Sequence, residues 1–263
     1  VLDITGGIMK ICLKAMISFV LIYCFAIPVR SEDPDQHSVI QTFKHAVESQ
    51  DKEEIAKLVK YPLSRKYPVP PIADSDDFYD RFDEVFDEEL CRIITSAALE
   101  EDWHEMGWRG MMLKNGLVWL DSEGKVTAIN HESAAEQIRR DNIIKSIRQK
   151  LHSSLQDFVE PVLEWKTKNY RIRIDLVGEG NYRYASWPVD CSPGQKPALI
   201  VTQGEMIPEG TGGNHHFDFC RGIYTYRCVS YRIGMEETPP GELEVLKNGK
   251  RMLCERVTEI IQP

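Results

Sequence analysis

Tyr170-Arg171-Ile172-Arg173-Ile174-Asp175-Leu176 is the stretch that decides the fold. Apolar and polar side chains alternate through it, and a strand sends successive side chains to opposite faces. It therefore reads as a strand with one face on a core and one in water. Further strand-like runs follow. Tyr182-Arg183-Tyr184-Ala185-Ser186-Trp187 ends at Pro188, and Ala198-Leu199-Ile200-Val201-Thr202 comes after a loop holding Cys191. A glycine-rich loop at 209–214 leads into His215-His216-Phe217-Asp218-Phe219-Cys220. Arg221-Gly222 is expected to turn that strand into Ile223-Tyr224-Thr225-Tyr226-Arg227-Cys228, placing Cys220 opposite Ile223 and His215 opposite Cys228. Lys247-Asn248-Gly249-Lys250 is a strong hairpin signal, because Asn-Gly accepts the positive backbone angles of a tight turn. Short strands with frequent turns predict a small antiparallel β sandwich or barrel over residues 161–263.

Upstream lies a connector at 133–160. Ser133 followed by Glu136 is a capping box. Ile138, Ile144, Ile147, Leu151, Leu155 and Phe158 supply its apolar positions, Pro161 is expected to stop it, and Arg139, Arg140, Lys145, Arg148 and Lys150 make it basic. Residues 32–132 read as a separate α+β segment. Val39, Ile40, Phe43, Ala46 and Val47 share one helical face, and Asp51 with Glu54 opens a second helix. A proline-rich connector spans 62–71. A third helix is expected over 76–90, with Phe78, Phe82, Val85, Phe86 and Leu90 inward and its acids solvated. Asn115-Gly116 predicts a hairpin, and a further strand is expected at 126–130. The fold class is α+β.

The pattern F-x-x-A-V-x-S-x-D-x-x-x-I-A-x-L-V, from Phe43 to Val59, resembles the opening of the nuclear-transport-factor-like, or ketosteroid-isomerase-like, cone. The resemblance covers 38–130 and implies helices wrapped on a curved sheet. That family holds isomerases, dehydratases and non-enzymatic binding domains, so the resemblance does not choose an activity. None of its catalytic residues matches a position here.

At the other extreme of the chain, Lys10 and Lys14 precede an apolar run at 15–27, and a polar boundary follows at 31–35. This order is that of a secretory signal. Translation is expected to start at Met9 and cleavage to fall near Ser31, giving a periplasmic or secreted protein without a permanent membrane span. A lipid anchor at Cys24 fits poorly, since Tyr23 stands where a small residue is needed. Export permits disulfides among Cys191, Cys220, Cys228 and Cys254, with Cys91 free.

The formal net charge is -9. Residues 1–31 hold three basic groups and one acid, so the remainder carries about -11. Such a chain repels phosphate backbones, and nucleic acid is excluded as a partner. A cationic protein is the partner that this charge would draw in.

Among chemical motifs, the serine-hydrolase elbow, the P-loop and C-x-x-C are missing. His216 and Asp218 share a strand face and are the candidate acid–base pair. Two ligands per face are too few for a metal, so neither metal nor cofactor is expected. Gly212, Gly213, Asn214, His215, Tyr184 and Trp187 are the candidate binding residues. The residues thus predict a non-catalytic binding protein, of inhibitor, immunity or envelope-interaction type. The alternatives are a small-substrate hydrolase or isomerase with a pocket near His104, Trp108 or Trp119, and an envelope structural protein.

Overall fold

Asp51 begins the regular structure of the first segment's second helix in the manner its sequence suggests: its carboxylate accepts from the backbone N–H groups of Glu53 and Glu54 at 3.1 and 3.0 Å. The computed structural model describes residues 36–210, 212–235 and 237–263. The signal, its cleavage site and Cys24 lie outside the described residues. Helix α1 (Gln36–Glu48) buries Val39, Ile40, Phe43, Ala46 and Val47, and α2 (Lys52–Leu58) buries Ile55 and Ala56.

The helix expected over 76–90 is instead three short pieces: α3 (Ser75–Asp80), α4 (Phe82–Val85) and α5 (Glu88–Ser96). An acid explains the second break, between α4 and α5. Asp74 and Asp87 turn their carboxylates onto the N–H groups that follow them and cap α3 and α5. Phe78, Phe82 and Phe86 still point inward, with ring centroids 5.4–5.9 Å apart.

A four-stranded antiparallel sheet follows, of β1 (Trp103–Glu105), β2 (Met111–Leu113), β3 (Val118–Leu120) and β4 (Val126–Ile129). The Asn115-Gly116 turn is wider than expected. Leu113 pairs with Val118, and Lys114 and Gly116 both take positive φ. The helices and this sheet share one core that includes Phe43, Phe78, Leu90, Leu113 and Val118.

Ser133 caps α6 (Ala134–Lys150), accepting from Glu136 N at 3.1 Å. The helix stops at Lys150 and not at Pro161, because the chain turns away through a short 3-10 turn at Ser153–Leu155. Its expected apolar face is also only partly right. Ile138 is exposed, whereas Glu136 and Arg140 are buried. Glu136 takes its place inside because Arg65 neutralises it there.

The remaining strands are β5 (Glu160–Lys166), β6 (Tyr170–Gly178), β7 (Asn181–Pro188), β8 (Leu199–Glu209), β9 (Asn214–Arg221), β10 (Tyr224–Ser230), β11 (Gly241–Lys247), β12 (Lys250–Arg256) and β13 (Glu259–Ile260). They form one antiparallel sheet, ordered β12-β11-β10-β9-β8-β7-β6-β5-β13. Its edge strands β12 and β13 are consecutive in the chain, separated by Val257 and Thr258 alone. Val257 N donates to Gly241 O at 2.9 Å on one edge, and Thr258 N donates to Lys166 O at 2.8 Å on the other. The two edges are thereby joined and the sheet curls on itself as a barrel, sealed where β13 meets β5, while β12 (Lys250–Arg256) has one strand neighbour, β11. Leu163, Trp165, Ile172, Ile174, Tyr184, Phe217, Phe219, Cys228 and Leu243 fill the interior.

Both faces of the deciding strand are buried, so its expected wet face is a second interior. Arg173 and Asp175 are as inaccessible as Ile172 and Ile174. They belong to an ionic ladder outside the barrel: Arg173 bridges Glu164 at 3.0 Å and Asp175 at 2.6 Å, and Arg183 reaches Asp175 at 2.9 Å. Phe158 lies over the Arg173 guanidinium at 5.2 Å. Beside it, Trp187 and Ala185 pack with Ile144, Leu151 and Leu155. The described residues belong to one compact unit, and no helix among them is long and apolar enough to cross a membrane.

Two cysteine expectations change. The β9–β10 hairpin turns on Gly222-Ile223, pairing Arg221 with Tyr224, so Cys220 faces Thr225 and Cys228 faces Phe217. Gly222 has φ +61°, which sets the turn at that residue. All five described cysteines are free thiols. Strand spacing gives the reason: Cys220 and Cys254 lie on β9 and β12, three strand spacings or roughly 14 Å apart, where a disulfide needs Cα atoms within about 7 Å.

Candidate functional site

In an antiparallel meander, alternate turns gather at the same end of the sheet. The β5–β6, β7–β8, β9–β10 and β11–β12 turns therefore ring one mouth of the barrel. That mouth opens into a pocket of about 580 Å³. Its wall is apolar and aromatic: Tyr170, Tyr184, Leu199, Tyr224, Tyr226, Leu243, Val245, Met252 and Leu253. Strand alternation puts these side chains on the inner face, continuous with the barrel core, except Met252, which a bulge in β12 leaves unpaired beside Leu253 at the mouth.

The floor is stiff. Tyr184 stacks on Tyr226 with centroids 5.6 Å apart and lies 5.4 Å from Phe219. Burial pushes the Tyr184 hydroxyl well above its ordinary range, so it stays neutral and serves as a hydrogen-bonding group. Gly204 on β8 lets Phe219 lie flat against the wall, since a Cβ there would meet Phe219 Cε1 at 2.1 Å. Ser186 and Asn169 add polar atoms beside the tyrosines.

The rim is set by register. Arg221 pairs with Tyr224, Tyr224 with Lys247, and Lys247 with Lys250, so four consecutive positions of one cross-strand row stand at the mouth. Lys247 Nζ sits 5.8 Å from the centre of the Tyr224 ring. The tips of the two hairpins are joined by Asn248 N donating to Ile223 O at 2.8 Å.

The sequence candidates are distributed over four places. Tyr184 is in the pocket. Trp187 contributes to its wall, but its ring is turned outward into the layer beneath α6, where Nε1 donates to Gln195 O at 2.9 Å. Gly212, Gly213 and Asn214 lie at the opposite end of the barrel. Asn214 ties two loops together, accepting from Arg232 N and Ile233 N at 2.7 and 2.9 Å, and Gly213 has φ +86°. His215 borders a second cleft of about 450 Å³ between the 62–71 connector and the barrel, with Lys66, Trp165, Tyr231 and Arg232.

His216 and Asp218 do share the outer face of β9, but both are engaged. His216 Nδ1 meets Glu209 at 2.7 Å, its Nε2 lies 3.8 Å from Asp218, and Asp218 takes two hydrogen bonds from Arg227 at 2.7 Å each. This geometry holds β9 to its neighbours. On the same outer face Glu242, Glu244 and Cys254 bring ligand atoms within 4.8 Å of one another. Arg251 pairs with Glu244 at 2.8 Å, Arg256 lies 3.8 Å from Glu242 and the Tyr231 hydroxyl donates to Glu242 at 3.2 Å, so the two carboxylates face cations from within the protein. His104 and Trp108 are exposed, and Arg109 lies over Trp119 at 5.4 Å.

The rim cations and Leu199 and Leu253 are not among the candidates that the sequence suggests. The signal was present in the hairpin Lys247-Asn248-Gly249-Lys250, whose flanking charges the turn brings together. No protein-family model, curated protein or solved structure matches this chain.

Proposed function

We propose that this is an exported, non-catalytic binding protein that takes a small, largely apolar molecule into the mouth of its barrel. Export rests on the order of residues 9–35. Binding rests on one observation: the closed barrel keeps a pocket of about 580 Å³ at one end, walled by tyrosines and aliphatic side chains. That volume falls within the roughly 300–1,000 Å³ of small-molecule sites, and barrel mouths are a recurrent place for them. Its lining offers the hydroxyls of Ser186 and the tyrosines but no carboxylate, imidazole or thiol among the described residues, so no base stands beside Ser186 to activate it and the groups present serve binding.

The test is uptake of a neutral fluorescent probe, N-phenyl-1-naphthylamine. The expected result is saturable enhancement with one site per chain, abolished by Leu199→Trp, which fills the pocket. A folded protein that leaves the probe dark would overturn the reading, as would undiminished binding by the Leu199→Trp variant.

A further inference from the structure

We infer that the ligand is a single-chain amphiphile with an anionic head, its tail in the barrel and its head among Arg221, Lys247 and Lys250. This deepens the binding reading and rests on it.

Charge at the two ends of the barrel is the first support. The chain is acidic overall, with a formal net charge of -9. Yet the turns ringing the pocket carry Lys168, Lys196, Arg221, Lys247 and Lys250 against Asp190, all exposed. The turns at the far end carry Glu179, Glu209 and Glu237 against Arg232. A basic ring on an acidic protein focuses an anion to this mouth.

The second support is how the cations are held. Arg221, Lys247 and Lys250 stand in one cross-strand row with Tyr224, directly above the apolar wall. Neighbouring basic residues on the same strands are committed elsewhere, Arg227 to Asp218 and Arg251 to Glu244. The three rim cations are in no ion pair among the described residues. Glu255, on the adjoining wall, is already engaged by the Thr167 hydroxyl at 2.7 Å and Asn169 N at 3.1 Å.

The third support is the match of shape to chemistry. The pocket below the row is apolar and lined by flat rings, which suits an alkyl chain and offers nothing to a second charge. Ile223 and Met252, 51% and 63% exposed, extend the apolar wall past the cations at the mouth. An anion with no tail would leave the pocket empty, and a tail with no charge would leave the row unused.

Calorimetric titration of the purified protein with decanoate, dodecanoate and tetradecanoate, and with the alcohols of equal length, tests this. Affinity for the carboxylates should rise about fourfold per added methylene while the tail is being buried. The carboxylates should bind more tightly than the alcohols, and that advantage should shrink as salt is raised. Arg221→Gln, Lys247→Gln and Lys250→Gln should each weaken carboxylate binding by about two- to fivefold and leave the alcohols unchanged. A lysophosphatidate of equal chain length serves as a second arm. Preference for it over the carboxylate would assign the head as a phosphate, within the same proposal. Equal binding of alcohol and carboxylate, insensitive to the three substitutions, would overturn the anionic head and leave the pocket reading standing. Uptake of N-phenyl-1-naphthylamine with no displacement by any alkyl ligand would overturn the tail. Adherence to anionic vesicles without binding of monomeric amphiphile would overturn the proposal in favour of a membrane-docking surface.

Discussion

Arg65 Nε donates to Glu136 Oε1 at 2.6 Å, and both side chains are almost wholly inaccessible to water. The pair pins the connector that follows α2 to the first turn of α6. Arg65 completes its bonding on the carbonyl oxygens of Ile129 and His131, at 2.6 and 2.7 Å. Leaving one buried partner without the other costs far more than the pair contributes as a pair. Glu136→Ala should therefore lower unfolding free energy by about 3–5 kcal/mol in urea titrations. Joint replacement, Arg65→Met with Glu136→Leu, should recover most of the loss. A Glu136→Ala variant as stable as the parent would show that the pair is not buried in solution.

Gly204 and Phe219 define a second prediction. Gly204→Ala pushes a methyl group into the Phe219 ring, which is fixed between Tyr184 and the strand. Overpacking of this kind costs about 1–3 kcal/mol. Adding Phe219→Leu should relieve it. Thermal unfolding of the two variants, alongside probe uptake, reads both stability and pocket shape. Additive losses in the double variant would refute the contact.

Glu255 makes stability depend on pH. Burial pushes its carboxyl upward, but hydrogen bonds from Thr167 and Asn169 outweigh that and hold it below its ordinary value. A carboxyl depressed in the folded state contributes stability above its unfolded pKa, about 4.3, and loses it as pH falls through the lower folded value. Glu255→Gln should cost about 1 kcal/mol at neutral pH, because the group is half-exposed. The gap between variant and parent should close below about pH 4. A gap that stays constant down to acid would show that the Glu255 carboxylate is not held by Thr167 and Asn169 in solution.

The free thiols predict an order of reactivity with a disulfide-exchange reagent. Cys220 and Cys254 are exposed, whereas Cys228 is buried in the barrel core, where burial pushes its thiol far upward. Partial burial and the nearby Glu242 and Glu244 carboxylates also raise Cys254. Since the thiolate is the reactive form, Cys220 should label first, Cys254 slowly, and Cys228 only on unfolding. Rapid labelling of Cys228 in the native protein would contradict the closed barrel.

Much of the secondary structure was legible from local pattern. The alternation at Tyr170–Leu176 is a strand, Ser133 with Glu136 starts a helix, and Lys247–Lys250 is a hairpin, each for the reason its sequence gives. The single helix expected over 76–90 is broken at Asp87, which looks the same in sequence whether it faces solvent or caps a helix. Of the candidate site residues, Tyr184 lies in the pocket floor, while His216 and Asp218 are joined to Glu209 and Arg227 instead of to a substrate cleft.

Alternation in the strand at Tyr170–Leu176 was determined by the sequence alone, because a period of two is a property of neighbouring residues. Whether its polar face is wet was not, because that depends on what packs against it. Here α6, Phe158 and the proline connector cover the face, and Arg173 and Asp175 become a buried ionic ladder. The pocket rim is the same kind of fact. Arg221, Lys247 and Lys250 come from three strands, and only the closed meander and its register bring them together above the rings of Tyr184 and Tyr226.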